Sequence, residues 1–484
     1  MGKGARTAAA GEQAVVIGAS MAGLCAAKVL ADRFTRVVVL DRDVLTDDPT
    51  PRRLVPQGRH PHLLLTAGAR LLDAWFPGLS AELCAAGAVE LDLCGDFLWH
   101  QAGGTQRRPS SGLVGPSMSR PLLESTVRTR VTAAPNVSVR GGIDVAGLTL
   151  DDEAKRVVAV QIDEREAIAA DLVVDATGRG ARSVDWLAAH GYPAPPTTIV
   201  EVDTRYVSRV FRRDDSATRD WKAAAVIGDP ETKRLAMLLP MEGDRWILSI
   251  AGLNGESPPT EHDEAIAYAR RFDSPIIAEL LAQGQAIGEP VTHRFVANQR
   301  RHVERLRRYP LGWVLLGDAV CSFDPIYGQG MTAAAQQAAA LGRALDRHSP
   351  TSRGFTKQYF RAAARIVSIP WSIAVGGDFV YPDTRGKKPF GTDILNHYID
   401  RVIQAGQVDD DVVIRFNEVV ALVRRPQALL TPSFVLRVVA RARRADRARR
   451  DTRPASGEAA TLDASAGATP PTELLTRAPQ VPID

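Results

Sequence analysis

The 484-residue chain has only four cysteines, and Cys25, Cys84, Cys94 and Cys321 stand far apart, with no CxxC pair and no zinc-ligand spacing. That speaks against a disulfide framework and a cysteine-based metal site, and leaves buried, reduced thiols in a cytoplasmic protein as the expectation. No run of about eighteen apolar residues occurs, so no membrane span is expected. The opening MGKGARTAAAGEQ is basic and small but lacks the apolar core of a secretory signal. A dominant charge is missing too: 60 Lys and Arg against 56 Asp and Glu leave +4, much of it in RVVARARRADRARR at 437–450. The body thus has no footprint for nucleic acid, and the late basic run reads as a solvated helix face. There is no internal repeat and no His–Glu pair that reads as a catalytic dyad.

What is present is the composition of a globular enzyme of two or three domains, 45% hydrophobic and 24% charged. The apolar run at 14–17, a glycine turn, an amphipathic helix to about Arg33 and the apolar RVVVLDRD from Arg36 form a βαβ unit opening a parallel sheet. SRPLLESTVRTRV reads as a helix capped by Ser119, with Pro121 in its first turn. ADLVVDATGRGARS, 170–183, is a buried strand ending in a glycine-rich turn. TTIVEVDTRYVSRVFRR and KRLAMLLPMEGDRWILSIAG then alternate as antiparallel strands do. GWVLLGDAV returns to the buried-strand pattern, and GMTAAAQQAAALGRAL is a small-residue helix. The expected division is 12–183 and 294–350 as two parts of one α/β domain, 184–293 as an inserted, mostly antiparallel β domain, 351–450 as helical, and 451–484 as a disordered tail.

Two constellations carry chemistry. AVVIGASMAGLCAA, 14–27, ends a strand in Gly18-Ala19-Ser20-Met21-Ala22-Gly23. A dinucleotide turn needs its first glycine for the bend, its second for approach of the pyrophosphate and its third for helix packing. Gly18 and Gly23 meet the first and third demands, and Ser20 is a small replacement whose hydroxyl can bond a phosphate. The same residues nearly spell the G-x-S-x-G elbow of a hydrolase. Ser20 follows the first strand, however, and Asp41 ends the next one, where a ribose-binding acid belongs. The second constellation is GWVLLGDAVCSFDPIYGQGMTAAAQQAA, 312–339. A buried strand ends in Gly317-Asp318, placed to accept a ribityl hydroxyl. The loop through Pro325, Gly328 and Gly330 leads to a helix starting near Met331, whose N-terminus suits the N1–C2=O side of a reduced flavin.

GDAVCSFDPIYGQGMTAA resembles the flavin motif of the single-component (group A) FAD-dependent monooxygenases, the para-hydroxybenzoate hydroxylase fold. DATGRGARS resembles a variant of their third motif. With VVIGASMAG, VPQGRHPHLLLTAGARLL and SRPLLESTV, the chain is most similar to the FAD epoxidases of polyether pathways, relatives of squalene monooxygenase, and to FAD-containing Diels–Alder cyclases; the likeness covers about 14–345. The resemblance implies a Rossmann-like α/β FAD-binding domain with an inserted β substrate domain and a C-terminal helical region. It implies that Gly18, Ser20 and Gly23 hold the pyrophosphate and Asp41, with Arg42 beside it, the adenosine ribose. Arg52 would lie near the flavin or pyrophosphate, and Arg120 and Asp318 would contact FAD. Pro325, Gly328, Gly330 and Met331 would line the ring. The chain departs from the family at the third motif, reading Asp175-Ala176-Thr177-Gly178 where the more common form is Gly-Ala-Asp-Gly, so the resemblance does not extend to a direct FAD contact from Asp175.

The activity implied is insertion of one oxygen atom from O2, through a flavin C4a-hydroperoxide, into a hydrophobic polyketide or terpenoid by epoxidation or hydroxylation. No protein residue need be catalytic and no metal is expected. NAD(P)H would supply electrons directly or through a separate flavin reductase, since no second dinucleotide loop is present. The alternatives are a non-redox cyclase, a reductase of prenyl double bonds and a non-enzymatic flavin binder. Bland readings suffice elsewhere: His60 and His62 as solvated imidazoles at a helix start, Cys321 as packing, and Trp186, Tyr206, Trp246 and Trp371 as core.

Overall fold

The computed structural model describes residues 10–153, 155–213 and 219–452. In chain order the elements that build the site are β1 Gly11–Ile17, α1 Met21–Ala31, β2 Phe34–Leu40, β3 Phe97–Gln101, α2 Arg120–Thr132, β4 Val137–Arg140, β5 Leu172–Asp175, β6 Thr197–Arg212, β7 Ala223–Ile227, β8 Arg234–Met241, β9 Arg245–Gly252, β10 Ala286–Arg301, β11 Trp313–Leu315, α3 Gly330–Leu345 and α4 Arg353–Asp378. Five of the strands form a parallel sheet in the order β11, β5, β1, β2, β4. The inner strands are apolar on both faces because helices cover both, which is why 14–17 and 172–174 read as continuous apolar runs rather than alternating ones. Register brings Ile17 opposite both Leu40 and Asp175, and Asp175 opposite Leu315, so four strands end at one edge.

Between β5 and β11 the chain builds a nine-stranded, mostly antiparallel sheet. Its long strands β6 and β10 pair from Thr197↔Arg301 to Phe211↔Ala286. These strands begin after the helix Arg182–Ala189 and run on past residue 293, so the expected junctions at 183/184 and 293/294 fall inside a helix and a strand. The sheet also recruits β3, parallel to β7, and Cys321–Ser322, which pairs with Arg300 and Gln299. Alternation along the strands sorts the side chains. Phe211, Leu238, Trp246, Leu248 and Ile250 face the helices His262–Ala269 and Ile276–Gln283, while Leu239, Met241 and Ile247 pack with Phe97, Trp99 and Met237 on the opposite face.

The C-terminal helices follow. Thr392–Gly406, Asp410–Val420 and Pro432–Thr452 bury Val402, Val412, Phe434 and Val438 in a core of their own. The basic run is tied down rather than merely solvated: Arg441 reaches Asp409 at 2.8 Å, and Arg437 pairs with Asp411. Helix continues through Thr452, and the tail expected from 451 otherwise lies outside the described residues. Among the described residues no helix is long and apolar enough to cross a membrane.

Ser119 caps α2 by accepting from the Leu122 N–H at 3.3 Å. Gly23 lies where α1 crosses the end of β1, and a Cβ there would stand 1.7 Å from the Gly18 carbonyl oxygen. Gly23→Ala therefore has to push the helix off the strand. We expect it to lower unfolding stability by about 3 kcal/mol in urea denaturation and to abolish FAD retention on gel filtration.

Candidate functional site

The loops leaving the aligned strand ends meet at one edge of the parallel sheet, the usual place for ligands in open α/β sheets. After β1 the chain turns at Gly18, whose φ of +104° is one that only glycine adopts readily; a Cβ there would lie 2.6 Å from the Ala176 carbonyl oxygen. Ser20 precedes α1 in extended conformation, and the first N–H groups of the helix have no acceptor within it. After β11 a second turn at Gly317, φ +71°, brings its Cα against α1, where a Cβ would meet the Ala22 Cβ at 2.7 Å. The two glycine motifs, about 300 residues apart in sequence, are thus in contact.

A buried ion network surrounds Ser20. Glu124, only 3% exposed, accepts from Arg52 Nη1 at 2.5 Å, from Arg120 Nε at 3.2 Å and from the Ser20 hydroxyl at 2.8 Å. Arg120 Nη2 in turn donates to Ser20 Oγ at 2.8 Å. Arg52 continues to Asp41 at 2.6 Å and to Asp43 at 3.4 Å. Burial disfavours the Glu124 carboxylate, yet Arg120 and then Arg52 outweigh it and hold its pKa below the ordinary value. Burial likewise opposes the Arg52 charge, and Glu124 and Asp41 reverse the effect and raise its pKa. Asp41 also accepts from the N–H groups of Ala19, 2.6 Å, and Asp43, 2.8 Å. Its carboxylate keeps acceptor capacity for a further donor, since two oxygens offer about four sites.

Asp318 follows the second turn. Its side chain reaches solvent, but enough protein surrounds it that burial pushes the carboxyl up to about 6, against the pull of Arg120 and Arg179. The loop beyond it is anchored from below. Asp324, wholly buried, accepts from Thr204 Oγ1 at 2.5 Å, from the Tyr206 hydroxyl and from the Ile326 N–H at 3.1 Å. Tyr327 donates to Asp378 at 2.9 Å, and Asn298 bridges both acids, donating to Asp378 at 2.6 Å and accepting from the Asp324 N–H at 2.8 Å. Burial pushes both of these carboxyls upward. Pro325 and Gly328 face outward; Gly328 has φ +66° and open space where a Cβ would stand. A Cβ on Gly330 would have only Asp318 Oδ1 near it, at 4.0 Å. Gly330 and Met331 form the first turn of α3, and Ala333 is the first to bond back, to the Gln329 carbonyl at 3.0 Å.

A polar row lies beside this loop on β6 and β9. Ser208 donates to Ser249 at 2.8 Å and lies 2.7 Å from His60 Nδ1. Having spent its proton on Ser249, Ser208 must accept from His60, so Nδ1 carries the imidazole hydrogen. Burial, with His293 beside it, lowers the His60 pKa to about 4, so the ring is neutral and Nε2 holds a lone pair; that atom is buried and unpartnered among the described residues. The His60 ring is 5.5 Å from that of His293 and 6.0 Å from that of Tyr206. His62 donates from Nδ1 to the His60 carbonyl at 2.9 Å, and burial and Arg120 lower its pKa to about 3. Neither imidazole is the solvated ring expected from sequence: after the turn at Pro56–Arg59, His60 packs on Ser208, Tyr206 and His293 of the inserted sheet, and His62 folds back on the His60 carbonyl.

Of the residues picked out from sequence, Gly18, Ser20, Gly23, Asp41, Arg52 and Arg120 gather at the first turn, and Asp318, Pro325, Gly328, Gly330 and Met331 at the second. Arg42 is exposed and joins neither group. Asp175 is spent within its own turn, accepting from the Thr177 and Ser183 N–H groups at 2.8 and 3.0 Å and from both hydroxyls. Glu124, Arg179, Asp324 and Asp378 join the site without being expected from sequence. For Glu124 the signal existed, four residues after Arg120 on one helix face. Tyr206 belongs to the site, whereas Trp246 is core on the far face of the sheet. FAD fits these residues: two helix N-termini with free donors, Arg120 between them, an acceptor in Asp318, and open space over Gly328 and Gly330.

Comparison with known proteins points to the same cofactor. A family model described as FAD binding domain matches residues 12–350. The chain is similar to Protein Rv3254 of Mycobacterium tuberculosis, 38% identical over 387 residues that span 76% of this chain and 81% of that one. It is 28% identical over 162 residues to kynurenine 3-monooxygenase of Xanthomonas campestris, about a third (32%) of each chain. Among solved structures, the Diels-Alderase PyrE3 of the pyrroindomycin pathway shares the fold, with a TM-score of 0.57, 17% identity, and coverage of 85% of this chain and 80% of that one.

The raised Asp318 pKa makes its charged form costly in the folded protein, so apoprotein stability is lost as pH climbs from about 4 through about 6. Asp318→Asn removes that cost. We expect the variant apoprotein to melt above wild type near pH 8 and level with it near pH 4, while its affinity for FAD falls about tenfold with the lost acceptor. Thermal melts at both pH values and an FAD titration read the two effects separately.

Proposed function

The chain belongs to the FAD binding domain family of flavin-dependent monooxygenases, and from that premise we propose that it inserts one oxygen atom from O2 into a hydrophobic small molecule of polyketide or terpenoid type, by epoxidation or hydroxylation. FAD, when bound and reduced, supplies the activated oxygen. The residues of the chain do the rest. The N-termini of α1 and α3 and Arg120 stabilise phosphate and ring charge, and Asp318 holds the ribityl chain. The observation that carries the reading is that the Gly328–Gly330 turn lies beside the apolar face of the inserted sheet, to which it is joined through Asp324 and Tyr206. Leu235, Met237 and Leu239 alternate onto that face and offer a water-poor surface for the substrate.

Within the polar row on this face, His60 Nε2 is a buried acceptor without a partner among the described residues. In our reading it accepts a hydrogen bond from a substrate hydroxyl and orients the reacting carbon toward the flavin, its low basicity suiting an acceptor rather than a base. NAD(P)H is the reductant, directly or through a partner flavin reductase.

Loading the purified protein with FAD, recording its visible spectrum and following NAD(P)H oxidation and O2 uptake with polyene, terpenoid and phenolic candidates tests the proposal. Substrate-stimulated consumption of both is expected. Turnover without either identifies a cyclase, like the Diels-Alderase PyrE3; reductant use without oxygen identifies a double-bond reductase; absence of any stimulated uptake identifies a flavin carrier; and a protein that stays colourless rejects the cofactor itself.

His60→Phe should keep the full FAD content and lower kcat/KM for a hydroxylated substrate about tenfold or more. Because the imidazole is neutral above about 4, the wild-type pH profile should show no His60 limb between pH 8 and 6; the activity that depends on Nε2 is lost only as pH falls through about 4.

A further inference from the structure

The seam between α3 and α4, on the flank of the fold, holds a cavity of about 490 Å³. Arg343 and Arg347 of α3 and Lys357, Arg361 and Arg365 of α4 line it, and no acidic side chain does. None of these five cations has an ion pair among the described residues, although the chain pairs its arginines freely elsewhere. The one acid on this stretch of α3, Asp346, turns instead to Arg33 at 2.8 Å. Arg343 and Arg347, Lys357 and Arg361, and Arg361 and Arg365 are each four residues apart on a helix, so like charges face one another within each helix as well as across the seam. Arg343 sits in the last turn of α3, where the helix dipole supports a cation, and Lys357 lies just past the first turn of α4. Such an arrangement concentrates positive charge that a multivalent anion can neutralise.

A second cavity of about 520 Å³ continues the groove and shares Arg343. It is lined mainly by apolar groups, among them Leu71, Ala74, Ala339 and Ile366, with Arg70 at its margin. Each space is the size of a small-ligand site. Guanidinium groups converging from two helices match phosphate oxygens in pairs. The groove lies about 20 Å along α3 from the Gly328–Gly330 turn, a distance set by the helix rise, so its occupant takes no part in oxygen transfer.

We propose that this groove is a second ligand site, independent of the FAD site, that binds a soluble organic di- or triphosphate: the phosphates among the five cations, the apolar part against Leu71, Ala339 and Ile366. The test is calorimetry on the FAD-saturated protein at low salt, with ATP as the probe and inorganic triphosphate beside it. Saturable binding is expected, tighter for ATP than for triphosphate and weakened about tenfold or more by the double reversal Arg361→Glu and Arg365→Glu, which alters neither the flavin spectrum nor the melting temperature of the holoprotein. Absence of binding at about 5 mM ATP, or binding that the reversal leaves unchanged, overturns the proposal. So does retention by phosphatidylglycerol-containing vesicles with no affinity for ATP, which would identify a lipid surface instead. Equal affinity for ATP and triphosphate would overturn the assignment of the apolar half. Should the reversal unfold the protein, Arg343→Gln with Arg365→Gln makes the same comparison without introducing acids.

Discussion

Glu124 is the hinge of the cofactor half of this molecule. It is nearly inaccessible to water, and its two oxygens are claimed by Arg52, Arg120 and Ser20, which come from a loop, from its own helix and from the first turn. Arg52 passes the connection to Asp41 at the end of β2. A carboxylate buried so deeply is tolerable only because the cations stay, and removing one partner of such a pair costs about 3–5 kcal/mol. The network holds the first turn, α2 and the end of the second strand in one geometry before any ligand arrives. It also leaves Arg120 with Nη2 on Ser20 and its field on Asp318, between the two turns. Preorganisation here is electrostatic rather than hydrophobic.

The second turn depends on a different support. Its loop is held from the sheet by Thr204 and Tyr206, from β10 by Asn298, and from α4 by Asp378 acting through Tyr327. Gln329 adds a bond to the Val420 carbonyl at 2.9 Å. Three parts of the fold therefore converge under one short loop: the parallel sheet that delivers it, the inserted sheet beside it and the C-terminal helices behind it. That convergence gives the C-terminal helices a role that no motif in their own sequence announces.

How much of this the sequence disclosed follows from the range of the forces involved. Gly18, Gly23, Gly317 and Gly328 were legible because local backbone geometry demands glycine there, and a demand of that kind leaves a mark at a fixed spacing. The buried strands and the Ser119 cap were legible for the same reason. Glu124 was not, since an acid on an amphipathic helix looks solvated until Arg52 is brought to it from 72 residues away. Asp324 and Asp378 look like surface acids for the same reason. His60 looks solvated in sequence because its partner Ser208 lies 148 residues further on. Local constraint writes itself into sequence, and long-range pairing of polar groups does not.

The strand order has a consequence for how the protein is made. The strand beside β5 in the parallel sheet is β11, and about 140 residues of inserted sheet and connections separate them. A chain emerging from the ribosome N-terminus first holds β1, β5, Ser20 and Arg120 for many seconds before the turn at Gly317 exists, because synthesis proceeds at roughly 5–20 residues per second. During that interval β5 has an open edge of fully apolar residues, Leu172 to Val174, where β11 will later sit. Cofactor capture is accordingly a late event in biogenesis, and the nascent first half must be kept from pairing that edge with another chain until its own last strand arrives.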